Sequence, residues 1–256
     1  MDSELQERIK ARLNLYAVLR NLEDLVALDP EAAERVRNWD IALQFSVRKG
    51  PQASLTFKGG ACTHERGPHP NPTVKLYFTS PKHLNAMFDG TSMPIPLKGF
   101  TKLGFLKRDF APLTERLEHF LKPDPEGLAD AGYRRINTVL TLFTGVFASA
   151  ELAEVEPTAR HLATGMGKGV LQIEVAPDGP YVHVRLDNGT VQAGRGQADE
   201  PRARMVFRNL DVANDLLNDR VDAFRAVVQG DVALWGHVPM IENLNLILER
   251  VRLYLA

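Results

Sequence analysis

A chain of 256 residues, 44% hydrophobic and 25% charged, has the length of two ordinary domains and the balance of a folded, soluble protein. Its formal net charge of -1 argues against a nucleic-acid partner, which calls for a basic excess, and its single cysteine, Cys62, excludes a framework of internal disulfides. The opening MDSELQERIKARL is charged and lacks the apolar core of a signal peptide, so a cytoplasmic protein is expected.

Residues 3–37 are predicted as two helices. Leu15, Val18, Leu19, Leu22, Leu25 and Val26 recur at helical spacing, and Asp29-Pro30 opens the second helix with an N-cap and a proline at its first position. From Trp39 the period changes to two: Ile41, Leu43, Phe45 and Val47 alternate with polar residues, Gly50-Pro51 turns the chain, and Ala53, Leu55 and Phe57 alternate again. A polar stretch, His64 to Pro72, leads to the strand Val74, Leu76, Phe78. Ser80-Pro81 then caps a helix carrying Leu84, Met87 and Phe88. The irregular segment GTSMPIPLKGFTKLGFLKRDF follows at 90–110, and a helix from about Ala111 is stopped at Lys122-Pro123.

Residues 126–166 read as a helical connector with a wide apolar stripe, Ile136 to Phe147, whose longest apolar run, 138–150, falls short of the ~20 residues of a bilayer crossing. Strand patterns return at Val170–Val175, Val182–Leu186 and Met205–Phe207, with turns at Gly179-Pro180 and Asn188-Gly189. Helical patterns at 210–218 and 221–228, the apolar VALWG and an amphipathic helix over 239–255 complete the chain.

A shift of 129 positions places Gly50-Pro51 on Gly179-Pro180, Gly60 on Gly189, Phe78 on Phe207 and Asn85 on Asn214. A shift of 131 then places Gly99 on Gly230 and Leu113 on Leu244. So long a period indicates two copies of one fold rather than a solenoid. In each copy, strands follow one another without intervening helices, so an α+β fold is expected, with a mainly antiparallel sheet and helices on one face. The expected division is a helical segment at 1–38, a domain at 39–125, a connector at 126–168 and a second domain at 169–256.

The second copy, through ARMVFRNLDVANDLLNDRVDAFRAVVQGDVALWGHVPMIENLNLILERV, resembles the C-terminal half of the sterol carrier protein 2 family. The first is similar through VKLYFTSPKHLNAMFDG, PLKG and PLTERLEHFLKP, and departs from the pattern at 91–106. The resemblance implies two tandem domains, each with an apolar tunnel between sheet and helices that holds a fatty acyl lipid or a sterol-like molecule, without catalysis, cofactor or metal.

Eight of the twelve phenylalanines fall within 39–123, which places the candidate ligand-binding side chains chiefly in the first copy. They are Phe45, Phe57, Leu76, Phe78, Leu84, Met87, Phe88, Met93, Phe100, Phe105 and Phe110, with Met205, Phe207, Leu216, Leu217 and Phe224 from the second. The lysine-bearing loop SMPIPLKGFTKLGFLKR reads as a tunnel mouth or as a transient membrane contact. His64 and His69, in a polar loop, lack zinc-site spacing, and Cys62 has no assignable base. Two alternatives stay open: a ligand-free structural, interaction or dimerisation module, for which small side chains such as Val184 and Val206 speak, and an accessory subunit of an acyl-processing enzyme. A homo-oligomer is compatible with each.

Overall fold

The computed structural model describes residues 3–187 and 189–255, so Asn188 of the predicted Asn188-Gly189 turn and the terminal Met1, Asp2 and Ala256 lie outside it. The chain divides into two compact units, Met1–Lys122 and Pro123–Tyr254.

Unit 1 opens with α1 (Ser3–Leu13), which runs through a π-helical turn at Asn14–Val18 and a 3-10 turn at Leu19–Asn21 into α2 (Leu22–Leu28). α3 (Pro30–Val36) starts where predicted: Asp29 caps it by accepting the Ala32 N–H, and Pro30 is at its first turn. β1 (Ile41–Val47), β2 (Gln52–Lys58), β3 (Ala61–Arg66) and β4 (Val74–Phe78) come next, then α4 (Pro81–Phe88), capped by Ser80, and β5 (Ile95–Lys98). The segment expected to be irregular is thus partly ordered, since β5 is followed by a 3-10 turn, the short α5 (Leu103–Phe105) and a π-helical turn that runs into α6 (Ala111–Leu121).

Unit 2 begins with α7 (Ala131–Val155) and α8 (Pro157–Gly165), followed by β6 (Gly169–Val175), β7 (Tyr181–Asp187), β8 (Thr190–Arg195) and β9 (Ala203–Phe207). α9 (Leu210–Leu217), α10 (Ala223–Val228), β10 (Val232–Gly236) and α11 (Val238–Leu255) complete it. Long and apolar enough to cross a membrane by length and composition, α7 is mostly buried within the protein, against β7, β8 and α9.

Each unit has one five-stranded sheet, in the order β3-β2-β1-β4-β5 or β8-β7-β6-β9-β10. Neighbours are antiparallel except at the centre, where β1 lies parallel to β4 and β6 to β9. A parallel pair needs a crossover, which the loops at 67–73 and 196–202 supply. In register, Phe45 stands opposite Ala53 and Leu76, and Ile173 opposite Val182 and Met205. β1 is buried along its whole length. Its apolar residues lie on the helix side, while Gln44, on the opposite face, donates to Ser46 Oγ at 2.8 Å.

The edge strands β3 and β8 are absent from the sequence reading, because ACTHER and TVQAGR carry too few apolar residues to reveal a period of two. His64 accordingly lies in a strand and not in a polar loop. The two helical segments set apart in sequence are each part of a unit, since their stripes have no other surface to cover: the helical turns after α1 contact β2 and β3, and α7 contacts β7 and β8.

The two units tie their helices down in the same way. Asp29, which caps α3, accepts from Nε and, at 2.7 Å, from Nη2 of Arg116 on α6. Glu156, the cap of α8, accepts from Nη2 and Nε of Arg250 on α11 at 2.6 and 3.0 Å. Each carboxyl would be raised by burial, yet the guanidinium and the helix N–H groups hold both below the usual carboxylate range. Asn14 likewise donates to Asn85 Oδ1 at 3.1 Å in unit 1, and Asn214 to Asn137 Oδ1 at 2.7 Å in unit 2.

The placement of Gly99 on Gly230 is corrected by geometry. Gly99 (φ 86°) follows β5, and a Cβ there would lie 2.7 Å from the Thr73 carbonyl oxygen. Its counterpart is Gly236 (φ 82°), at the end of β10, where a Cβ would meet the Arg202 carbonyl at the start of β9. α10 lies between α9 and β10, whereas no helix lies between α4 and β5, so the spacing of the two glycines exceeds the shift of 131 positions. Alanine at either glycine is expected to cost more than the ~1–2 kcal/mol of left-handed strain alone, because backbone must also move. Urea midpoints of Gly99→Ala and Gly236→Ala measure this, and unchanged midpoints would contradict the assignment.

Candidate functional site

The inner face of sheet 1 and the helices over it enclose an interlayer lined on the sheet side by large apolar side chains, with the buried Asn14–Asn85 pair among the covering helices. Phe45, Phe57, Phe78 and Leu84 are no more than 1% exposed and Leu76 is 3% exposed. Burial of each stabilises unit 1 by roughly 1.5–3 kcal/mol. At one end the rings form a chain. Phe110 stacks at 6.4 Å from Phe45 and 6.3 Å from Phe57, while Trp39 sits 5.0 Å from Phe57 and 4.7 Å from Phe105. The structure thus gathers Phe45, Phe57, Phe105 and Phe110, and adds Trp39, which sequence reasoning used only to mark a change of period.

Other candidates lie elsewhere. Met87, Phe88 and Phe105 are partly buried, at the C-terminal end of α4 and in the short α5. Met93 and Phe100 are 68% and 63% exposed. In unit 2, Met205 and Phe207 are buried on β9, Leu216 and Leu217 are partly buried on α9, and Phe224 on α10 is 78% exposed. The sequence reading missed Phe143 and Phe147 of α7, over which the Arg195 guanidinium sits at 5.7 and 4.9 Å. Their helical spacing was visible, but a stripe in a supposed connector gave no reason to place them over a sheet.

Two surface depressions carry arginine side chains among their lining residues. One, of about 230 Å³, is lined by Arg8, Arg48, Lys49 and Ser80 among others, and one of about 330 Å³ by Leu128, Ala129, Arg134 and Arg220 with Pro125. Neither is lined by residues of the apolar interlayers.

The titratable groups nearest the sheet are held in unreactive forms. Burial, reinforced by the charges of Glu23 and Asp24, pushes the Cys62 thiol well up, away from the nucleophilic thiolate. Burial also pushes His64 down to about 4, against the opposing pull of its hydrogen bond to the Leu15 carbonyl, 2.8 Å away in the π-helical turn. Its backbone N–H donates to Glu23 Oε1 at 2.6 Å. No group of three His, Cys, Asp or Glu side chains is placed to hold a metal ion among the described residues. Shape and apolar surface are what this arrangement offers.

Fold and interlayer define an α+β protein built from sheet-and-helix units. The chain is similar to a UbiJ-SCP2 ubiquinone synthesis protein, with a TM-score of 0.35 and 14% identity over 44% of this chain and 96% of that one. It is also similar to sterol carrier protein 2, with a TM-score of 0.33 and 22% identity over 42% of this chain and 93% of that one. A further similarity is to the inverting sec-alkylsulfatase Pisa1 of a Pseudomonas species, with a TM-score of 0.27 and 13% identity over 56% of this chain and 28% of that one. No family model matches the sequence, and no curated protein matches it.

Proposed function

We propose that the chain is a tandem pair of sterol-carrier-like domains, each a unit of sheet and covering helices, and that it binds or carries an apolar ligand without catalysis. The ligand class is a fatty acyl lipid or a sterol-like molecule, held between sheet and helices of unit 1. The observation that carries this reading is the composition of the interlayer. Its sheet side is lined by large apolar side chains, and Met87, Phe88 and Phe105 on the two short helices α4 and α5 form a partly buried margin. A ligand would enter by displacing that rim. Each methylene it buries contributes about 0.8 kcal/mol, so a chain of a dozen carbons binds without specific polar contacts.

A second reading is favoured by a different observation. With Phe45, Phe57, Phe78 and Leu84 almost fully buried, the interlayer is closed side chain against side chain, as a ligand-free interaction module would be.

The chain has two tryptophans, of which Trp39 touches the rim residue Phe105 and Trp235 lies exposed on β10. In a Trp235→Phe background, a long-chain fatty acid is therefore expected to shift Trp39 emission, and native mass spectrometry of the purified protein to show co-purified lipid. Emission that ignores fatty acid and sterol alike, from protein free of lipid, would sink the carrier reading and leave the interaction module.

A further inference from the structure

The densest exposed apolar surface of unit 1 lies on its outermost strand and the turn after it. Leu97 of β5 is 50% exposed, and Met93, Phe100 and Leu103 are 68%, 63% and 41% exposed. Isolated exposed apolar residues are ordinary, but a contiguous run on a sheet edge marks a contact surface. Over 93–109 the same segment carries four cations, Lys98, Lys102, Lys107 and Arg108, against a single acid, Asp109, in a chain whose net charge is -1.

Two features specify what this surface contacts. Among the described residues none of the four cations makes an ion pair, although Lys98 donates to the Asn71 amide oxygen at 3.0 Å. Lys98 is also the partner of Lys75 of β4, at a register irregularity, so two cations meet at this edge. In unit 2, by contrast, the exposed Trp235 stands opposite Arg204, a cation that Glu174 neutralises at 2.9 Å. The second feature is proline. Pro94 and Pro96 blunt the β5 edge, so the apolar run is unsuited to taking up a further strand from another chain.

We propose that this face docks onto an anionic lipid bilayer, with Leu97, Phe100 and Leu103 at the acyl boundary and the lysines among the headgroups. The contact needs no ligand in the interlayer, so it stands or falls separately from the carrier reading, which adds only that the docked face lies beside the proposed entry rim.

Flotation of the full chain with vesicles tests it. Phosphatidylcholine vesicles with about one-third phosphatidylglycerol are expected to bind the protein and pure phosphatidylcholine vesicles to leave it in solution. The triple variant Lys98→Glu, Lys102→Glu, Lys107→Glu is expected to lose at least about 100-fold in partitioning, at roughly fivefold per removed cation. Leu97→Asp with Phe100→Asp is expected to abolish binding while leaving the thermal transition in place, since both residues are exposed. Three results would overturn the proposal: no binding to anionic vesicles at low salt, binding that survives the aspartate pair, or a dimer dispersed by that pair from protein that ignores vesicles. The last would assign the face to a second copy of the chain.

Discussion

Replacing Arg250 with alanine is expected to destabilise unit 2 by about 3–5 kcal/mol, far more than loss of a surface ion pair. The Glu156 side chain is 2% exposed and meets the guanidinium with two hydrogen bonds, while its Oε2 also accepts the Ala159 N–H at 2.6 Å. Removing the arginine leaves a buried carboxylate with only helix N–H groups in place of its counter-charge. The urea midpoint of the unit 2 transition is the measurement, and a loss below about 1 kcal/mol would show that water replaces Arg250 at this site. Arg116→Ala tests the corresponding pair in unit 1, where Arg116 Nη1 also reaches Glu31 at 2.6 Å, so part of the loss there comes from a more exposed contact. Both carboxyls are held below their ordinary values in the folded protein. Their contribution is therefore complete above about pH 4.5, the ordinary glutamate value, and is lost as pH falls through the lowered folded values.

A separate acid response is expected from His64, in a higher window. Its ring titrates at about 4 in the folded protein against 6.5 when unperturbed. Between these values the unfolded chain holds the proton and the folded chain does not, so stability rises with pH across the window. On going from pH 7 to pH 4, unit 1 is expected to lose on the order of 3 kcal/mol through this residue alone. In His64→Gln the side-chain amide can still donate to the Leu15 carbonyl but has no proton to gain. The difference in stability between wild type and variant should therefore change with pH from about 6.5 downward. A pH-independent difference would mean that His64 is hydrated enough to charge in place.

Much of this fold is written locally. The caps Asp29-Pro30 and Ser80-Pro81 and the period-two runs of β1, β2, β6 and β7 depend on neighbours in sequence, and each appears where expected. β3 and β8 do not, because an edge strand with one wet face and polar residues on the other has no apolar alternation to read. The role of α7 was hidden for the opposite reason: its stripe was plain, but which surface it covers depends on a sheet formed later in the chain. The candidate side chains divide along the same line. Phe45, Phe57 and Phe78 sit on regular strands, so their inward direction followed from alternation. Met93, Phe100 and Phe224 are equally apolar, but they lie on turns and on a short helix, where composition says nothing about direction.

The order of elements in unit 2 has a consequence for its synthesis. α7 is complete at Val155, yet the sheet it packs against is not finished until β10 ends at Gly236. At about 5–20 residues per second, a nascent chain spends roughly 4–16 s with that apolar helix made and its covering sheet not yet complete. During this interval α7 is the most adhesive part of the molecule, and it has the length and hydropathy of a bilayer-crossing helix. Slow codons between 156 and 236 are therefore expected to act on yield rather than on the stability of the finished protein.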